Sequence, residues 1–191
     1  MSFDIEKGKK RFLALLNEIS SERKGIEPLV AWLEKGDFFS APLTANQRGA
    51  YKGGLLEHSL NVYMAYMMLF AQDNDPFSSV VLITLLHKLC RCGYFKLEQR
   101  TQLNEKGKWE QVPYVVEDKF PLGGGEKSIY LIERFVRLKP EEAIAIRWHM
   151  GGLDAAAQNS SETISTAFDK YPLAAKLHAA YMYAAHIPQK P

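Results

Sequence analysis

Three histidines, each on the apolar side of a different helical segment, constrain this chain more than any other feature. The first lies in Gly49-Ala-Tyr-Lys-Gly-Gly-Leu-Leu-Glu-His58-Ser-Leu-Asn-Val-Tyr63. Its glycines end a loop and a helix follows. His58 falls on the helix side shared with Val62, Ala65 and Leu69, so it faces inward. Leu85-Leu-His87-Lys-Leu-Cys90 and Ala145-Ile-Arg-Trp-His149-Met-Gly151 repeat the arrangement. One inward histidine reads as a core residue with a hydrogen bond. Three of the chain's five point to a common pocket.

The 191 residues suffice for one well-buried core and are short for two domains. A hydrophobic share of 47% with 24% charged residues is that of an ordinary globular chain. The net charge of +2 argues against a basic tail or strong polyanion affinity, so any nucleic-acid contact would be local. Cys90 and Cys92 are too close for a loop-closing disulfide and have no second pair for zinc. They read as free thiols in a reducing compartment. The N-terminus has no apolar signal core, and no apolar run reaches membrane-spanning length. The expectation is a cytoplasmic protein without membrane contact.

In order, the pattern predicts a helix over about 4–20, with Phe12, Leu13, Leu15, Leu16 and Ile19 inward, and a second over about 25–35 on Leu29, Trp32 and Leu33. The polar break Ser20-Ser-Glu-Arg-Lys-Gly25 separates them. A long helix runs from Gly54 to about Gln72, and another from Phe77 to about Cys92 after Pro76. Residues 94–118 read as an inserted β-hairpin with a turn at Asn104-Glu-Lys-Gly107. A helix follows Pro121-Leu-Gly-Gly-Gly-Glu-Lys127 to about Arg137. Pro140, a short helix after Gln158-Asn-Ser-Ser-Glu162, and Tyr171-Pro172 mark the remaining helices, the last ending near His186. The expectation is one mainly α domain over 1–191, with the helices of 1–37 packed on its core.

Glycines 123–125 before a helix are a turn or a cradle of N–H groups for phosphate, without P-loop spacing. Trp148-His149 fits core packing as well as a site. Thr84, Lys88 and Arg91 share one stripe, which faces Lys88 to water, although a pocket lined by His87 would still be within its reach.

The run ending in His58-Ser-Leu, then Leu85-Leu-His87, Phe120-Pro-Leu-Gly-Gly-Gly-Glu-Lys-Ser128 and Ile146-Arg-Trp-His149-Met-Gly-Gly152 resembles the HD superfamily of metal-dependent phosphohydrolases, and within it the small bacterial and phage HD-domain proteins. The resemblance covers roughly residues 38–187. It implies an HD-like helical bundle with the hairpin inserted, and chemistry in which divalent metals generate hydroxide and polarise a phosphate ester. It places His58, His87 and His149 at family metal positions. Three others depart: Lys88 stands for the aspartate of a His-Asp doublet, Gly124 for a loop histidine, and Tyr181 for a late aspartate. Arg48 stands where related proteins often carry another histidine.

Three imidazoles can hold one divalent ion. An ammonium about 4 Å away opposes it by several kcal/mol at intermediate dielectric. The resemblance therefore implies a degenerate member with no expected cofactor and at most low divalent-metal occupancy. Its pocket is expected to bind a nucleotide or phosphate ester through Lys52, Lys88, Lys127 and Arg147. Two alternatives stay open: a hydrolase working through His58, His87 and His149, and a partner-binding scaffold whose pocket is filled by Lys88 and Tyr181.

Overall fold

Asp4 opens the first helix by accepting the Lys7 N–H at 3.0 Å, which satisfies a donor that the helix start would otherwise leave free. The computed structural model describes residues 3–45, 48–103, 107, 109–115, 118, 120–155, 157 and 161–187, with backbone alone for 96–103, 109–115 and 161. The helices are α1 (Ile5–Glu18), α2 (Ile26–Lys35), α3 (Gly54–Phe70), α4 (Phe77–Leu86), α5 (Gly124–Glu133), α6 (Pro140–Trp148), α7 (Ser161–Lys170) and α8 (Pro172–His186). Short 3-10 turns cover Leu89–Arg91 and Gly151–Leu153. Strands β1 (Phe95–Leu103) and β2 (Trp109–Val115) pair antiparallel, from Phe95 opposite Val115 to Leu103 opposite Trp109, with an irregularity between Glu98 and Thr101. Of Asn104-Glu-Lys-Gly107, only Gly107 is among the described residues, and Val116 also lies outside them.

The chain is mainly helical. Helix α4 is its axis, because every residue from Ser78 to Leu86 is buried. A helix apolar all round is stable only when surrounded by others. Helix α3 packs on α1, α4 and α8, and α6 packs on α4, α5, α7 and α8. Phe12 and Leu16 of α1, Leu29 and Leu33 of α2, Leu56 and Val62 of α3, Leu82 and Leu85 of α4, Ile132, Ile146 and Leu177 share one core. Trp148, Ala157, Ile164 and Ala167 form a smaller cluster beside it. Among the described residues no helix is long and apolar enough to cross a membrane.

One polar network lies within this apolar mass. Glu142 on α6 is fully buried, and Arg23, between α1 and α2, is 8% exposed. Arg23 donates Nη1 to Glu142 Oε1 at 2.5 Å and Nη2 to Oε2 at 2.7 Å. Ser79 Oγ and the Lys139 N–H complete the carboxylate at 2.6 and 2.8 Å. Arg23 Nη2 also reaches the Arg137 carbonyl at 2.9 Å. Burial pushes the Glu142 carboxyl up, but Arg23, Ser79 and the Lys139 N–H together hold it below its usual 4.5.

Two expected details differ. Leu69 is 42% exposed, whereas Val62 and Ala65 are buried. Leu69 keeps the same side of the helix, but the last turn of α3 leaves the core, with Met68 and Leu69 both exposed. The helix after Pro76 stops at Leu86, short of Cys92, with His87 as its cap and a 3-10 turn beyond.

Candidate functional site

The loop before α3 sets His58 in place. Gly53 takes a φ of +84°, open to glycine at little cost, and a Cβ on Gly54 would lie 2.1 Å from the Gly49 carbonyl oxygen. The loop thus crosses tightly over the helix start. The Gly53 and Leu55 N–H groups bond Ser40 and Ala41 carbonyls at 3.1 and 3.0 Å. Less than one turn of helix separates Leu55 from His58, so the position of His58 follows these anchors.

His87 and His149 are built alike. Each caps the C-terminus of its helix. His87 Nδ1 lies 2.9 Å from the Thr84 carbonyl, and His149 Nδ1 lies 2.7 Å from that of Ile146. Helix ends leave carbonyls without donors, and Nδ1–H supplies one. That bond leaves Nε2 of each ring as an acceptor. His58 Nε2 lies 3.3 Å from His87 Nε2, so His58 carries the proton and donates it. His149 Nε2 is buried and has no hydrogen-bond partner among the described residues.

All three imidazoles meet around Tyr181 of α8. The Tyr181 ring centre lies 5.6, 6.0 and 5.2 Å from those of His58, His87 and His149, each pair near perpendicular. Lys88 Nζ sits 5.0 Å from the same ring centre and 3.2 Å from Met150 Sδ. Lys88 is 5% exposed. The stripe shared with Thr84 and Arg91 does not turn Lys88 to water, because the helix ends before it and the 3-10 turn swings it into the cluster.

The electrostatics follow from burial. Desolvation, with a smaller push from the Lys88 charge, takes His58 from its usual 6.5 down to about 3. His87 and His149 are also held well below the usual value, chiefly by desolvation. Burial brings the Lys88 ammonium from 10.5 to about 8. Tyr181 is raised, again by burial first.

The cluster supplies no carboxylate, and an ammonium sits against its central ring. Among the described residues no three His, Cys, Asp or Glu side chains are arranged to hold a metal ion.

The four cations expected to bind an anion are not brought together. Lys52 is exposed in the loop before α3. Lys127 pairs with Asp118 at 2.6 Å. Arg147 is held between Glu126 at 2.6 Å and Asp154 at 2.9 Å, 4.0 Å from the Trp148 ring centre. Only Lys88 belongs to the cluster. Gly124 is also elsewhere: its Cβ would face Cys90 Sγ at 3.6 Å. The glycine stretch forms the first turn of α5, and a Cβ on Gly125 would meet the Arg147 carbonyl oxygen at 2.7 Å. Close helix packing, rather than a phosphate cradle, accounts for that glycine.

A pocket of about 590 Å³ opens beside the cluster, lined by Arg48, Tyr51, Glu57, His58, Met150, Tyr181 and His186 among others. Arg48 Nη1 donates to the Ala185 carbonyl at 3.2 Å, and Tyr51 Oη bonds Glu57. Arg48 is marked in the sequence only by its place in the resemblance, which implies no role for it. His178 is a further member of the site: its Nδ1 lies 2.9 Å from the His149 carbonyl and its ring stacks on Phe168. The only sequence signal for His178 is its place three residues before Tyr181.

The neutral imidazoles predict an acid weakness. A base whose folded pKa is lowered stabilises the fold fully above its unfolded value of 6.5, and that stability is lost as pH falls toward the folded value. Below about pH 6 the loss approaches about 1.4 kcal/mol per pH unit for each of three histidines. Urea midpoints from pH 7 to 5 measure it. A flat profile over that range, above the carboxylate region, would contradict the buried neutral cluster. No protein-family model, curated protein or solved structure matches this chain.

Proposed function

We propose that this is an HD-like helical bundle, with the hairpin inserted between α4 and α5, that has lost metal-dependent hydrolysis and binds a small anionic ligand. The observation that carries the reading is an ammonium packed into the histidine cluster beside an open pocket. Lys88 Nζ lies against the Tyr181 ring that all three histidines surround, while the pocket remains open against His58 and Tyr181. The Lys88 ammonium supplies positive charge where the resembling family places a metal. Arg48 faces the ligand. Its bond to Ala185 uses one of five guanidinium donors, and the planar fork suits a phosphate or carboxylate. Lys52, Lys127 and Arg147 are left out of the anion site, the last two because carboxylates already neutralise them. The open pocket favours this reading over a scaffold with a closed interior.

Two measurements on one preparation test it. Metal analysis without chelator should find far less than one equivalent of manganese, iron, nickel or zinc. Calorimetry with inorganic phosphate should show binding that Arg48→Ala weakens at least about tenfold, the loss of one charge-assisted contact. One equivalent of metal on imidazole nitrogens at about 2.0–2.2 Å would restore the hydrolase reading. Phosphate binding untouched by Arg48→Ala would remove the assigned site.

A further inference from the structure

Lys88 contrasts with the other deeply buried cation among the described residues. Arg23 is matched by the Glu142 carboxylate. Lys88 makes no ion pair among the described residues; its contacts are the Met150 thioether and the face of Tyr181. Both of those side chains also line the open pocket. The amine therefore lies one side chain behind the pocket wall. His149 flanks the same tyrosine ring and carries a buried Nε2 without a hydrogen-bond partner among the described residues. An unpaired amine in a desolvated site, with an imidazole acceptor nearby, is the arrangement that makes a lysine nucleophilic.

We propose that Lys88 is an amine nucleophile that condenses with a small aldehyde or ketone entering through the pocket. The ammonium passes one proton to His149 Nε2. The freed Nζ lone pair attacks the carbonyl carbon, forming the C–N bond, and the carbonyl π pair moves to oxygen. A second proton passes from nitrogen to that oxygen, giving the carbinolamine. His149 returns its proton to the hydroxyl, the C–O bond breaks, and water leaves as the nitrogen lone pair forms C=N. An ammonium and a carbonyl compound have become a protonated imine and one water, with no oxidant or reductant consumed. The Met150 side chain, with three rotatable bonds, swings aside to admit the carbonyl. This step does not depend on Arg48 or on an anionic ligand.

The probe is propanal, which is uncharged, with cyanoborohydride to reduce the imine to a stable propylamine. Peptide mass mapping of the native protein reads each lysine. Lys88 should be alkylated at least about ten times faster than exposed Lys52, the advantage expected of a desolvated amine. Met150→Ala should speed labelling of Lys88 and leave Lys52 unchanged. The labelling is read without phosphate and phosphate binding without propanal, so the two readings fail separately. His149→Gln should slow Lys88 alone. Lys88 left unmodified in both the native protein and Met150→Ala, while exposed lysines react, would overturn the proposal. Equal labelling with and without His149 would overturn the proton-transfer role.

Discussion

Replacing Arg23 with alanine should lower the free energy of unfolding by about 3–5 kcal/mol, the usual cost of breaking a buried ion pair from one side. The change leaves Glu142 fully buried with its Ser79 and Lys139 donors but no countercharge. The carboxylate must then protonate, admit water or unfold. The pair's contribution is present above the unfolded carboxyl range and is lost as pH falls through the lowered Glu142 value. Urea unfolding at pH 7 gives the comparison. Replacing both partners together, as Arg23→Met with Glu142→Met, should cost much less than the single variant, because an apolar pair of similar volume carries no desolvation cost. A single variant within about 1 kcal/mol of the parent would mean that the pair is not closed off from water.

Replacing Lys88 with methionine should have the opposite sign and raise stability by about 2 kcal/mol at pH 7. Lowering an ammonium from 10.5 to about 8 corresponds to about 3 kcal/mol spent on keeping it charged at neutral pH, at 1.36 kcal/mol per unit. Losing its contact with the Tyr181 face takes back about 1 kcal/mol. The same accounting has the parent gain stability as pH rises from about 8 to 10.5, a gain the variant lacks. A gain in thermal midpoint that disappears at high pH confirms the sign. A destabilised variant would show that the ammonium is stabilised by a group absent from this account.

The inward histidines are legible in the sequence because local periodicity determines them. His58, His87 and His149 each stand three or four residues from apolar neighbours on one helix, and that spacing holds in the fold. Lys88 is not legible in that way. Its orientation depends on α4 ending at Leu86, and the run from Leu85 to Cys90 contains no glycine or proline to mark that end. The anion-binding lysines fail for a different reason. Whether Lys127 or Arg147 is free depends on Asp118, Glu126 and Asp154, and pairing among charges in loops and on helix faces leaves no periodic trace. Arg23 shows the same blindness. It stands in a run of serines and charges that reads as solvated, yet its partner lies 119 positions along the chain.

The closing wall of the histidine cluster comes from α8, which supplies Tyr181, the carbonyl that Arg48 bonds, and the His178 contact to His149. Helix α8 packs on α3 across most of the chain. Bringing such distant segments together is the entropically slow part of folding. Until that helix docks, the imidazoles are wet and take up protons as free histidines do, around pH 6.5. Once it has docked, they hold none. Acid therefore acts on the refolding rate as well as on the final balance: each chain that has gathered protons must shed them before its last helix can settle.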